Sequence, residues 1–142
     1  MIRQFASSLL VSLAVAGAAA AGDGETDRSL RLELNTMTQT ESACRLTFVV
    51  DNALGADLDA LVLETVVFDA GGVVERLSLF DFQSVPEGRT RVRQFDLPGA
   101  ECAALGRVLV NAAEDCSGAG LEAGACMEHL RLESRADLEV SG

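Results

Sequence analysis

Ala43-Cys44-Arg45-Leu46-Thr47-Phe48-Val49-Val50-Asp51-Asn52 opens the stretch, ending near Leu97, whose reading decides the fold. It is a β-type run that closes on turn residues. Leu61–Asp69 (Leu-Val-Leu-Glu-Thr-Val-Val-Phe-Asp) follows, then the break Ala70-Gly71-Gly72. Val73–Phe82 is a third run, closed by Val85-Pro86-Glu87-Gly88, and Arg89–Asp96 is a fourth. Four β-rich runs punctuated by Asn, Asp, Gly and Pro predict an antiparallel meander. It forms the centre of an all-β, immunoglobulin-like antiparallel sandwich of about seven strands.

Within these runs the period of two assigns faces. Cys44, Leu46, Phe48 and Val50 share one side while Arg45 and Thr47 point away, so a one-residue slip would expose the whole apolar set. Leu61–Phe68 is apolar at both parities, which marks a central strand. Leu61, Leu63 and Val67 are expected in the core, and Val62, Val66 and Phe68 on the opposite face with Glu64. That second face is either a docking surface or is covered by the termini or by Asn111–Ala125. Phe68 is the position at which substitution separates the two. In the fourth run Arg89, Arg91 and Arg93 oppose Thr90 and Val92, and Phe95 breaks the alternation, which suggests a bulge with Val92 and Phe95 both inward.

Outward from this centre, Leu30, Leu32 and Leu34 alternate with charged residues in a strand over Ser29–Asn35. Leu97–Gly106 is the one stretch that reads as helix, at most two turns, with Pro98 near its start and a glycine at its stop. A short strand is expected at Val108–Val110, a Gly- and acid-rich loop over Asn111–Ala125, a strand near His129–Glu133, and an edge segment at Leu138 and Val140. The sandwich domain is thus 29–142, preceded by a polar, flexible segment 22–28. Met1–Ala21 carries one cation at Arg3, an apolar Leu9–Ala16 stretch and an Ala-rich tail, the pattern of a secretory signal peptide cleaved after Ala20 or Ala21. The apolar run is too short to span a bilayer stably.

The formal net charge is −11, which argues against binding a nucleic-acid backbone or an anionic membrane surface. All eleven basic residues are arginine, and Trp and Tyr are absent, so the side chains most frequent at binding hot spots and sugar platforms are missing.

Four cysteines behind an export signal read as two disulfides in an oxidising compartment, periplasmic or secreted. Of three possible connectivities, Cys116–Cys126 closes the short Gly-rich loop and Cys44–Cys102 ties the second strand to the helical turn. No Cys-x-x-Cys pair stands near the single histidine, His129, so a zinc site is not indicated. No nucleophile or metalloprotease motif surrounds His129 either, and the glycine-containing segments lack the Walker lysine and the Rossmann spacing. Asp51, Asp57, Asp59 and Glu64 could crowd a calcium ion, although their spacing matches no EF-hand loop. Arg89, Arg91 and Arg93 read as charges that protect a strand edge, or as a contact for an acidic partner.

The segments Phe48-Val49-Val50-Asp51-Asn52, Leu61 through Phe68-Asp69-Ala70-Gly71-Gly72, and Val85-Pro86-Glu87-Gly88 resemble the FxLYD-like exported sandwich domains. Cys44-Arg45 and Gly106-Arg107-Val108-Leu109-Val110-Asn111 are similar to exported bacterial proteins known only by a Tat-pathway-signal label, although Gln4 stands where a second arginine would be. The resemblance covers about residues 43–126 and implies a fold and an export route without a biochemical activity. The expectation is a non-enzymatic accessory or partner-binding protein of the cell envelope with no cofactor; the alternative is a calcium- or metal-responsive periplasmic domain.

Overall fold

The computed structural model describes Gly17 and residues 27–142. The expected signal peptide, Gly17 apart, and most of the 22–28 segment lie outside the described residues.

Strands β1 (Ser29–Gln39), β2 (Ala43–Ala53), β3 (Leu58–Asp69), β4 (Val74–Val85), β5 (Thr90–Pro98), β6 (Leu105–Ser117), β7 (Leu130–Ser134) and β8 (Glu139–Ser141) make two sheets. The first has the order β5-β2-β1-β7 and the second β4-β3-β6-β8. The architecture is the expected all-β sandwich, with eight strands.

Its connectivity is not a meander. β2 and β3 do not pair: the chain leaves the first sheet after Ala53, makes the β3–β4 hairpin in the second, and returns as β5 beside β2. The reason lies in the connection. Leu54 and Leu58 are buried, so the segment between the sheets is anchored in the core rather than forming a tight hairpin. Asn52, itself buried, holds that crossing: its Nδ2 donates to the carbonyls of Ala56 (2.9 Å) and Val85 (2.8 Å), and its Oδ1 accepts from the Leu54 amide. The two C-terminal strands lie parallel to their neighbours, β7 to β1 and β8 to β6, so both sheets are mixed.

The core is where the period-two reading put it. Leu32, Leu46, Phe48, Leu61, Leu63 and Val67 are buried between the sheets. Four of the six phenylalanines gather at the β4/β5 side, with Phe80 and Phe95 stacked at 4.4 Å and the Phe48 ring edge-on to Phe82 at 5.9 Å. Aromatic contacts of these geometries add to the burial of the rings themselves. The β3–β4 turn is closed by Asp69, whose Oδ1 accepts from the Gly71 and Val73 amides, and by Gly72 at φ +82°.

Two expected boundaries move. The Leu97–Gly106 helix reduces to a 3-10 turn, Cys102–Ala104, because Leu97 and Pro98 complete β5 against Cys44 and Ala43. A second helical turn, α1 (Ala125–Glu128), lies between the expected Asn111–Ala125 loop and the strand near His129. The short strand at Val108–Val110 is the middle of the 13-residue β6, which takes in part of the expected Asn111–Ala125 loop. Pairing with β3 sets that length, and three register shifts absorb the broken alternation of Asn111–Asp115 and the approach at Gly106. A Cβ at Gly106 would stand 2.4 Å from the Asp69 carbonyl oxygen, so only glycine lets the backbones meet there.

Both disulfides form with the expected partners, Cys44–Cys102 and Cys116–Cys126, and no cysteine is free. Cys102 precedes β6 and Cys116 lies near its end, so the bridges tie both ends of this second-sheet strand to segments of the first sheet, β2 and the turn entering β7. Two such bridges belong to an oxidising compartment. No described helix is long and apolar enough to cross a membrane.

Candidate functional site

The two outer faces of the sandwich differ in chemistry. On the first sheet most of the outward polar residues pair with one another. Arg31 reaches Glu33, Asp51 (2.8 Å) and Glu133 (2.9 Å), and Arg135 reaches Glu33 from the other side. Arg45 holds Asp96 in a fork, Nε to Oδ1 at 2.7 Å and Nη2 to Oδ2 at 3.0 Å, between residues directly opposite in register. Thr90 bonds Asp51, and Gln94 bonds Thr47 across the same two strands. Glu33 is only 4% exposed beneath these neighbours. The Asn35 amide, with Arg135 and Arg31, holds its carboxyl below the usual range, and the Arg45 hydrogen bond does the same for Asp96. Polar pairing nearly saturates this surface; its exceptions among the described residues are Val92, 55% exposed opposite Val49, and Arg131, which has no carboxylate partner.

The outer face of the second sheet is not saturated. Register sets its rows: Leu79 and Ala112 flank Glu64, Leu77 and Leu109 flank Val66, and Val74 and Arg107 flank Phe68. Leu77 is 65% and Leu79 58% exposed, and Val73 and Val74 are also open. Contiguous apolar exposure of this kind marks interaction surfaces more often than it marks ordinary solvent-facing sheet. A shallow depression of about 170 Å³ lies among Glu64, Leu77, Ser78 and Leu79.

The residues expected to dock a partner on this face are less available than their neighbours. Val66 is 9% exposed, covered between the flanking strands, which corrects the expectation that it presents open surface. Val62 is half-buried, and so is Phe68, whose ring lies under the Arg107 guanidinium at 4.3 Å. Of the elements expected to cover the face, β6 and β8 lie in its sheet as strands. The most exposed apolar residues come from β4 and the turn before it, and sequence reasoning missed them. The signal was the alternation Leu77, Leu79 against Ser78, Phe80, which assigns the leucines to the face opposite the buried phenylalanine.

The arginine row divides. Arg89 lies in the turn before β5. Arg91 and Arg93 stand opposite Val50 and Phe48, on the core-facing side of the edge strand, where Arg91 donates to the Thr90 carbonyl. Arg93 donates to the carbonyls of Phe82 (2.8 Å) and Ser84 (3.3 Å) on β4. Val92 points to solvent and Phe95 to the core with no register shift in β5, so the expected bulge is absent. The alternation is unbroken because the arginines, not Val92, share the inward side with Phe95.

The four carboxylates weighed as a calcium site are not brought together. Asp51 lies on the outer face of the first sheet and Glu64 on that of the second, Asp57 accepts from the Glu87 amide in the connecting loop, and Asp59 is exposed at the start of β3. Among the described residues no group of three His, Cys, Asp or Glu side chains is placed to hold a metal ion. His129 follows α1, where its amide bonds the Ala125 carbonyl.

The motif residues behind the family resemblance have structural tasks here: Asn52 holds the crossing, Asp69 and Gly72 close the hairpin, and Gly88 donates its amide to the Asn52 carbonyl. Compared with protein-family models, curated proteins and solved structures, the chain matches none of them.

Proposed function

We propose that this chain is an exported, non-enzymatic binding module of the cell envelope, periplasmic or secreted, which docks a protein partner on the outer face of its β4-β3-β6-β8 sheet. The observation that carries the reading is the contrast between the outer faces. One is crossed by ion pairs centred on Arg31 and Arg45 and opens a single large apolar side chain, Val92, while the other leaves Leu77 and Leu79 more than half exposed beside Val73 and Val74. Exposed leucines on a face bonded only within its own sheet contribute little to the monomer, and their burial by a partner recovers the hydrophobic free energy. The disulfides and the resemblance to exported sandwich domains support the compartment.

The test is a paired substitution, Leu77→Ser with Leu79→Ser. Because both side chains already face water, the variant should keep the melting temperature of the parent. In cross-linking within the native envelope it should lose the adducts the parent forms. A large drop in melting temperature, or adducts unchanged in the variant, counts against the docking face.

A further inference from the structure

The charge on this face is uneven along its length. At the Phe68 end, Arg107 lies over the ring and is the register partner of Glu139 on β8, so this end carries a cation beside its one anion although no ion pair joins them. In the middle, Glu64 accepts a hydrogen bond from Asn111. At the far end Val62 is flanked by Asp81 on β4 and Asp115 on β6, both directly opposite it and therefore on the same outer side. Neither carboxylate has an arginine partner among the described residues; Asp81 accepts only a backbone amide, from Gln83. The apolar strip of Leu77, Leu79, Val66 and Leu109 thus ends in two uncompensated carboxylates.

Resting on the docking reading above, we infer that the partner is a protein presenting an apolar strip bounded at one end by arginine or lysine side chains, which meet Asp81 and Asp115. A cation there relieves the repulsion between two carboxylates across Val62 and gains at the rim of an interface, where charge sets orientation and on-rate. A second copy of this chain does not fit. The face carries Glu64, Asp81, Asp115 and Glu139 against Arg107 alone, and apposing two such faces would bring like charges together in a chain already at −11. An anionic bilayer is disfavoured by the same charge.

The experiment measures fluorescence anisotropy of three labelled 12-residue peptides, alternating leucine with arginine, glutamine or glutamate, against the mature protein. The arginine peptide should bind about tenfold more tightly than the glutamine peptide at low salt, the size that two rim ion pairs give, and the advantage should shrink as salt rises. Asp81→Asn with Asp115→Asn should remove that preference while leucine-dependent binding remains. Glu122→Gln with Glu128→Gln, the same change in net charge at exposed positions off the face, should leave it intact. If the Asp81/Asp115 variant keeps the preference, or the Glu122/Glu128 control loses it equally, the cationic partner is overturned while the docking face stands. If no peptide binds, or Leu77→Ser/Leu79→Ser leaves binding unchanged, the docking face itself fails. A dimer in sedimentation that the leucine substitutions dissolve would make the occupant a second copy and overturn the inference.

Discussion

The Nε of Arg93 on β5 donates to the carbonyl oxygen of Phe82 on β4, 2.8 Å away across the open side of the sandwich. The two edge strands belong to different sheets, and here a side chain substitutes for a missing strand. Nη2 reaches Ser84 on the same edge, and Arg76 answers in the other direction, donating from β4 to the Pro98 carbonyl of β5 at 2.8 Å. An unpaired strand edge is a template for association, and an inward-pointing charge is one of the devices that blunts it. The Phe48/Phe80/Phe82/Phe95 cluster lies at the same side of the sandwich, with Phe48 and Phe95 from the first sheet and Phe80 and Phe82 from the second.

Removing the Arg93 bridge should make the β4 edge sticky. Arg93→Ala is expected to lower stability by about 1.5–3 kcal/mol, the range for hydrogen bonds that involve a charged group. It should also raise the rate of aggregation measured by light scattering at a temperature where the parent is stable. Arg93→Lys, with one ammonium in place of the fork, should recover only part of both effects. A variant that loses stability but aggregates no faster than the parent would show that Arg93 braces the sheets without guarding the edge.

Asn52 is the hinge of the crossing between sheets. Asn52→Ala leaves the Leu54 amide and the Val85 carbonyl without their partner in a buried setting and should cost about 2–4 kcal/mol in urea denaturation. Asn52→Asp keeps the shape but replaces a donor by an acceptor facing two carbonyls, so it should be at least as destabilising as alanine. An aspartate variant close to the parent would contradict the hydrogen-bond assignment.

The disulfides differ in the loop each closes, with sequence separations of 58 and 10 residues. On the chain-entropy account they contribute about 4 and about 3 kcal/mol respectively. Replacing Cys44 and Cys102 by alanine should therefore lower the denaturation midpoint more than replacing Cys116 and Cys126. Thiol labelling of the denatured, unreduced parent should give no signal.

Acid should weaken the fold through carboxylates on both sheets, Glu33 and Asp96 on the first and Glu75 on the second. The carboxyls of Glu33 and Asp96 are held below their ordinary values by Asn35 and Arg45 respectively, and Glu75 is held down by Arg76. A lowered folded pKa means a stabilising contribution that is whole above the unfolded value, about 4, and is lost as pH falls through the folded one. The urea midpoint should be level from neutral pH to about pH 5 and fall below it. Glu33→Gln with Asp96→Asn should flatten that fall, and an equally steep decline in the double variant would place the acid sensitivity elsewhere.

The sequence by itself determined the strands at the centre and the inward faces of β2 and β3, and it favoured the disulfide partners that form among three possible connectivities. Those features are local: Leu46, Phe48 and Val50 alternate within one run, Asp69 and Gly72 carry the chemistry of their own turn, and cysteine spacing limits which loops close. Only the tertiary structure decided which sheet each strand joined. A period of two reports that a strand has an inner side and not which strand lies next to it, so Ala43–Ala53 and Leu58–Asp69, neighbours in the chain, end in different sheets while β2 finds β5. The same holds for the candidate face. Val62, Val66 and Phe68 were legible as its centre, but their exposure depends on what flanks them. The edge position of β4 leaves Leu77 and Leu79 open, the strands beside Val66 cover it, and Arg107, distant in sequence, lies over Phe68. Accessibility is a property of the assembled sheet, because it is set by neighbours that the chain meets only on folding.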